Sequence, residues 1–197
     1  MFMINKKRRL MMLMNTVKKD IPISYIIGSN QKVIDTLITP DDTTIVEYTG
    51  KFTTAGDTSF MGCVDVNRFH LYKYTYYSQV YFYTGTEGWP YTNIDASILA
   101  KYTIQKSGFL VNGSQKISGG GTIVGNRSIW IFNCNNQGNK NTNNTATMEC
   151  HGVKIWKQSE LVRDMVPVLH DERACLFDKI SGTYFFDIFG GEFDYGE

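Results

Sequence analysis

Metal-ligand spacing is missing from this chain. The four cysteines, Cys63, Cys134, Cys150 and Cys175, form no Cys-x-x-Cys pair, and no histidine stands near one at a spacing that closes a zinc site. Such isolated cysteines predict buried free thiols. His70, His151 and His170 are the only histidines, and spacing assigns no Ser-His-Asp or Cys-His arrangement to them. Long apolar runs are absent as well. Residues 10–14 are too short for the core of a signal peptide, and no stretch approaches a membrane span. Excess charge is lacking: 20 Lys and Arg against 19 Asp and Glu leave +1, which argues against a surface basic enough to coat nucleic acid. Neither a nucleic-acid partner nor a membrane span is expected. A chain made inside a cell, with reduced thiols, is the simplest reading.

What the chain does have is apolar and aromatic material: 42% hydrophobic and 14% aromatic residues in 197, enough to bury one sizeable core. Charge is unevenly placed. Residues 1–20 carry Lys6, Lys7, Arg8, Arg9, Lys18 and Lys19 against Asp20, a net of +5 that leaves −4 for the remainder. From 5 to 17 the residues are mostly good helix formers, with Leu10, Leu13, Met14 and Val17 at helical spacing. This predicts a short basic amphipathic arm at 1–20, an anchor built on Arg8, Arg9, Leu10, Leu13 and Met14. Its helix is too short to be stable alone, so it docks onto something; a solvated terminus is the plain alternative.

After Ile21-Pro22 the pattern changes to short strands. Expected strands cover 24–27, 33–38, 43–52, 60–66, 95–106 and 128–133, with a hairpin at 109–117 turning on Asn112-Gly113. Residues 135–147, rich in Asn, Thr and Gly, are expected to form a surface loop. The last quarter, 148–196, reads as a meander whose pieces close at Gly152, Asp171-Glu172, Ser181-Gly182 and Gly190-Gly191, with one strand entering at Leu176 and another leaving at Tyr184.

The richest aromatic region lies between. His70, Tyr72, Tyr74 and Tyr76 share one parity and line one face of a strand; Tyr81 and Tyr83 follow, then the loop Glu87-Gly-Trp-Pro-Tyr91. A tyrosine rank on an exposed face offers flat apolar area and hydroxyls for a sugar or polar partner, which makes Tyr72, Tyr74, Tyr76, Trp89 and Tyr91 the candidate ligand-binding residues. The competing reading is cover for the outer face of the sheet.

The tail also carries a resemblance. Lys154-Ile155-Trp156 is followed by Leu-Val-Arg-Asp at 161–164, Val166-Pro167-Val168, Leu-Phe-Asp-Lys-Ile-Ser-Gly-Thr-Tyr-Phe at 176–185, and a Gly-x-Phe-x-x-Gly ending at 191–196. Near the start, the run from Gln31 through Ile34-Asp35-Thr36 precedes a turn closed by Pro40. In order and type these blocks resemble the concanavalin A-like jelly rolls, related to laminin-G-like domains, of bacteriophage virion proteins and gut-bacterial surface proteins. The resemblance implies an all-β fold at 21–197, a two-sheet antiparallel jelly-roll sandwich following the helical arm. It implies a structural virion protein, a head or tail fibre or a capsid decoration, assembled in the host cytoplasm. The arm would bind other capsid or tail proteins, in a homo-oligomer for which a trimer is the order suggested, with host glycans as outward contacts. No enzymatic activity and no cofactor are expected. Laminin-G-like relatives often bind calcium at the rim, where Asp35, Asp41, Asp42 and Asp95 are the candidates here, though no loop has a calcium pattern. Two alternatives remain: a free-standing carbohydrate-binding module of a gut bacterium, and a glycoside hydrolase using Glu192, Asp194 and Glu197, spaced as in related β-glucanases.

Overall fold

The computed structural model describes residues 20–29, 31–64, 68–74, 79–85, 90–140 and 146–197. The expected helical arm, with Arg8, Arg9, Leu10, Leu13 and Met14, lies outside these residues, as do Tyr76 and Trp89. In chain order the strands are β1 (Ile21–Pro22), β2 (Tyr25–Ser29), β3 (Ile34–Asp35), β4 (Ile45–Phe52), β5 (Thr58–Val64), β6 (Arg68–Tyr74), β7 (Gln79–Gly85), β8 (Tyr91–Asn93) and β9 (Ala100–Gln105). They continue as β10 (Gly108–Val111), β11 (Ser114–Ser118), β12 (Trp130–Ile131), β13 (Asn135–Asn136), β14 (Thr147–Lys157), β15 (Glu160–His170), β16 (Arg173–Asp178), β17 (Thr183–Phe185) and β18 (Asp194–Gly196). No helix occurs among the described residues.

Two sheets result. The larger runs β11-β10-β9-β4-β14-β15-β16-β17, with β1 on β15 and β2 bridging β14 and β18; the smaller runs β3-β12-β5-β6-β7-β8. Every strand pairing is antiparallel except that of β13 with β5. The fold is therefore all-β, two antiparallel sheets arranged as a sandwich. Strand alternation explains the core. In β4 the residues Val46, Tyr48, Gly50 and Phe52 are buried while their neighbours are half exposed, the parity anticipated for 43–52. Phe60 of β5 joins the layers, with ring centroids 4.5 Å from Phe52, 4.9 Å from Tyr102 and 5.8 Å from Tyr48. Further along, Phe82 of β7 stacks on Phe109 of β10 at 6.1 Å. The buried Tyr48 hydroxyl donates to the Glu149 carbonyl at 2.7 Å, so burial leaves it no unmet bond.

Several expected strands are shorter, for local reasons. The one at 33–38 shrinks to β3 because the Asp35 carboxylate accepts from the Leu37 N–H at 2.8 Å, a turn that puts Leu37 at φ 60°. The one at 95–106 begins only at Ala100, since Asp95 accepts from both the N–H and the hydroxyl of Ser97. The one at 128–133 keeps two strand residues and bends at Phe132, φ 71°. Gly152 was expected to close a turn; it lies inside β14, at the bulge where the register against β4 slips between Cys150 and Gly152. The turn itself comes at Gln158-Ser159, φ 51° and 68°. The loop expected at 135–147 is not wholly surface: Asn135 and Ala146 are buried, and the Asn135 amide donates to the Ser128 carbonyl at 3.1 Å. The hairpins at Asn112-Gly113, Asp171-Glu172 and Ser181-Gly182 stand where expected, with β16 passing through Leu176 and β17 through Tyr184.

The tail blocks meet at one carboxylate. Asp178 is inaccessible to solvent; its Oδ1 accepts from the N–H groups of Asp164 (2.8 Å) and Ile180 (3.2 Å), and its Oδ2 accepts from the N–H (3.2 Å) and hydroxyl (2.6 Å) of Ser181. Arg163 Nη1 lies 3.5 Å from the same carboxylate, and its Nε donates to the Thr36 carbonyl at 3.2 Å. Burial works against ionisation at Asp178, but the bonds from Ser181, Asp164 and Ile180 outweigh it and hold the pKa below the ordinary value. Its stabilisation is thus full above the unfolded pKa near 4 and is lost as pH falls through the lower folded value. Asp178→Ala is expected to cost about 3 kcal/mol by urea denaturation at pH 7, since it removes the acceptor of the Asp164, Ile180 and Ser181 N–H groups and the Ser181 hydroxyl and takes the countercharge from Arg163. The gap to wild type should narrow below about pH 4; a gap that stays constant down to pH 2 would contradict the ionised clasp.

Candidate functional site

On the smaller sheet, inward and outward positions divide cleanly. Phe69, Leu71, Val80 and Phe82 point into the core and are fully buried. Register puts His70 opposite Tyr83, Tyr72 opposite Tyr81, and Tyr81 opposite Tyr91, so alternation sends all five outward. The rings form a continuous row: His70 and Tyr83 stack at 5.7 Å and 21°, Tyr81 and Tyr83 at 6.2 Å and 15°, and Tyr72 sits 6.5 Å from Tyr74. Gly62 of β5 makes room for the row. A Cβ there would stand 2.5 Å from the Phe69 carbonyl oxygen and 2.8 Å from the His70 Cα.

Beside the row lies an open groove of about 340 Å³, bordered by Val64, Arg68, His70, Tyr72, Tyr74, Tyr83, Cys134 and Asn136. Its far wall comes from β13, brought alongside β5 by the parallel pairing of Asn135 with Cys63 and Asn136 with Val64. His70 shares a 2.8 Å hydrogen bond between Nε2 and the Ser59 hydroxyl. Burial pushes its pKa down to about 3, and the Arg68 charge adds to the shift, so the ring is neutral at pH 7. Burial raises Tyr83 to about 12, with Arg68 opposing, and raises Cys134 well above the usual thiol range. A thiol held protonated is a poor nucleophile, and phenols that stay protonated can donate hydrogen bonds.

The outer face of the larger sheet groups its rings at the β16–β17 end, where Tyr184 stacks on His170 at 3.8 Å, and is charged along β4, β9, β14 and β15. There Glu47 pairs with Lys101 at 3.2 Å, Lys51 with Glu149 at 3.4 Å, His151 with Glu149 at 3.0 Å and Lys154 with Asp164 at 3.9 Å, a charge-laced surface suited to solvent.

Of the candidates from sequence, Tyr72 and Tyr74 border the groove. Tyr91 stands apart from it, 52% exposed on the edge strand, its ring 5.5 Å from that of Tyr81. Arg68, His70, Tyr83 and Asn136 were not singled out as ligand residues. Parity signalled the histidine and hairpin pairing signals Tyr83, but the contribution of Asn136 depends on a contact between strands some seventy positions apart. The four aspartates considered for calcium have local duties: Asp35 and Asp95 cap turns, Asp41 accepts from Thr43 and Lys157, and Asp42 accepts from Ile123 and Lys106. Among the described residues no three His, Cys, Asp or Glu side chains gather as a metal site, and no helix is long and apolar enough to cross a membrane. Asp194 of the terminal acidic run is exposed and paired with Lys32 at 2.9 Å, on a strand of the other sheet. No protein-family model matches the chain, and no curated protein matches it.

The neutral, buried His70 has a measurable consequence. The unfolded chain takes up a proton near pH 6.5, while the folded one resists to about pH 3. Stability from this residue is complete above pH 6.5 and declines as pH falls between those values, by up to about 1.4 kcal/mol per pH unit. Urea denaturation of wild type and His70→Gln between pH 6.5 and 5 should show the shallower dependence in the variant. Equal slopes would mean that His70 is protonated in the fold.

Proposed function

We propose that this protein is a structural display protein of a bacteriophage particle, a jelly roll that turns the tyrosine groove outward toward glycans and is anchored through residues 1–20. The observation that carries the ligand half is the contrast between the two outer faces. One carries ion pairs along β4, β9, β14 and β15, with its rings gathered at the β16–β17 end where Tyr184 packs on His170 and Phe177; the other carries a row of rings beside an open groove with an amide, a neutral imidazole and a guanidinium at its border. Sugar rings present apolar C–H faces and hydroxyl edges, and an aromatic platform with few polar groups satisfies both. The jelly-roll and virion half is supported by the resemblance of residues 25–40 and 148–196 and by the antiparallel meander β14-β15-β16-β17 that those tail residues build. On a particle, repeated copies would give useful avidity from a weak single site. Such a role needs no catalytic group and no cofactor; its partners would be capsid or tail proteins held by the basic arm, in a homo-oligomer assembled in the host cytoplasm.

A free-standing carbohydrate-binding module of a gut bacterium is the second reading. It is favoured by the groove's described borders all falling within one stretch, residues 64–136. Deleting residues 1–20 separates the two: particle incorporation fails in the first case, while sugar binding survives in both.

On a glycan array the full chain should bind at least one saccharide class. Tyr74→Ala should weaken that binding about threefold to tenfold, the worth of one ring contact, and Lys101→Ala on the opposite face should leave it unchanged. Silence across the array, or equal losses from both variants, would overturn the glycan reading.

A further inference from the structure

We infer that the ring cluster at the β15–β17 end of the larger sheet is the seat of this chain's own arm, the apolar side of residues 1–19 (Leu10, Leu13, Met14 and Val17) lying on Phe177, Tyr184 and Phe186. Alternation sends His170, Arg173, Phe177 and Tyr184 to the outer face, since Ala174, Leu176 and Phe185 belong to the core. From there Tyr184 reaches across β16 and stacks on His170 of β15 at 3.8 Å, with Phe177 4.9 Å from Tyr184 and Phe186 6.4 Å from His170. Val168 and Cys175 share the outward parity and are nevertheless buried, so this part of the outer face already behaves as an interior. The rings of Phe177, Tyr184 and Phe186 stay half-buried, a platform on which one more layer fits.

Asp20, the first described residue, is itself part of the cluster. Its Oδ1 lies 2.7 Å from His170 Nδ1, and its Oδ2 accepts from the Tyr184 hydroxyl at 2.5 Å. β1 runs antiparallel to β15 with Ile21 opposite Leu169, which sets Asp20 level with His170, and Ile21 beside it is 57% exposed, extending the apolar edge. Val17 stands three residues before this clasp, about 10 Å of chain at most, so the apolar stripe starts within reach of the rings. A helix over 5–17 would be about 20 Å long, the width of about four strands. Such a helix is marginal alone in water and takes its stability from the face it covers. Charge agrees: residues 1–19 hold six Lys and Arg and no acid, +6, which leaves −5 for residues 20–197. Because the arm is joined to its seat, it meets the rings at an effective concentration in the millimolar range, which favours the chain's own arm over that of a second copy. The groove lies on the other sheet, so the seat is independent of what the groove binds. In the particle reading, a capsid partner competes with this seat for the same stripe.

The test uses the full-length chain with the photoreactive p-benzoylphenylalanine in place of Leu13. Illumination should join residue 13 to the stretch 166–186 of the same chain, located by peptide mapping. Mixing isotope-labelled and unlabelled chains before illumination identifies the occupant: products of a single label support the seat as stated, while mixed-label products would mean that a second copy's arm fills it and would overturn the own-chain assignment. Joining to another part of the body, or to nothing, would overturn the seat itself. A second readout is the rate of tryptic cleavage after Arg8 and Arg9, which Leu13→Asp should raise about tenfold by releasing the arm. Phe186→Asp should raise it to a similar extent, and the two changes together should be no faster than either alone, because one contact is lost in each case. Leu13→Asp alters no described residue, so its result stands even where Phe186→Asp does not fold. Equal cleavage of wild type and Leu13→Asp, or effects of the two changes that multiply, would sink the inference.

Discussion

A buried carboxylate is costly unless every oxygen is satisfied, and the C-terminal half of this protein is arranged around meeting that condition at Asp178. Four hydrogen bonds and a guanidinium converge there, drawn from β15, from the turn after β16, and through Arg163 from the segment beyond β3. Arg163 also lies over the Phe185 ring at 5.5 Å. A second clasp repeats the principle: Asp187 accepts from the Val33 N–H at 2.7 Å and the Gly191 N–H at 2.6 Å, while the Ile188 N–H bonds to the Val33 carbonyl. Between them the two aspartates tie the end of the chain to residues 33–36, near its start. Since residues 34–35 pair with β12 in the smaller sheet and β15 to β17 belong to the larger, these bonds also hold one layer against the other at that rim.

The opposite rim and the centre are held by apolar contact. Phe60, Tyr48, Tyr102, Phe52, Phe82 and Phe109 make an aromatic core in which every neighbouring pair is edge-on, tilted or offset, as ring quadrupoles prefer. With the inner faces so occupied, the outer faces are free to differ. The larger sheet carries ion pairs, whose individual worth is small at a surface but whose effect on solubility is real. It also bears a ring cluster at its β16–β17 end, where Tyr184 stacks on His170, while on the smaller sheet the rings border a groove. Within that row His70 and Tyr83 are buried, Tyr72, Tyr74 and Tyr81 are half-buried and Tyr91 is exposed, so the rings that reach solvent are those of Tyr72, Tyr74, Tyr81 and Tyr91.

Much of this was legible in the sequence because two signals are local. Alternation set the parity of β4 and of His70, Tyr72 and Tyr74, and turn chemistry set Asn112-Gly113, Asp171-Glu172 and Ser181-Gly182. What failed was strand length, and the cause is consistent. At Asp35 and Asp95 a carboxylate two residues before a backbone N–H captured it, ending one strand early and delaying the start of the other in favour of a turn that hydrophobic pattern does not encode. Gln158-Ser159 turns with no glycine, and Gly152 bulges instead of turning, because the long β14-β15 pairing dictates where the reversal falls. Of the groove, the half built by one hairpin was readable. The half built by β13 was hidden in an Asn-rich stretch, since only a distant parallel pairing brings Asn136 to Val64.

The residues that carry the family resemblance and the residues that border the groove are different sets, and this separation has a physical reason. Arg163, Asp164, Asp178, Ser181 and Gly182 satisfy one another: the Lys179 N–H bonds to the Asp164 carbonyl, the Gly182 N–H to the Asp178 carbonyl, and the carboxylate takes the rest. A motif whose hydrogen bonds close on themselves fixes a hairpin but has little left to offer a ligand, so it can recur in proteins with unrelated partners. The groove draws instead on β5, β6, β7 and β13, outside every matched block, where side chains can vary without disturbing those clasps. On the proposed glycan reading, ligand choice would rest with the smaller sheet, where the border residues Tyr72, Tyr74, Tyr83 and Asn136 can differ without touching those clasps.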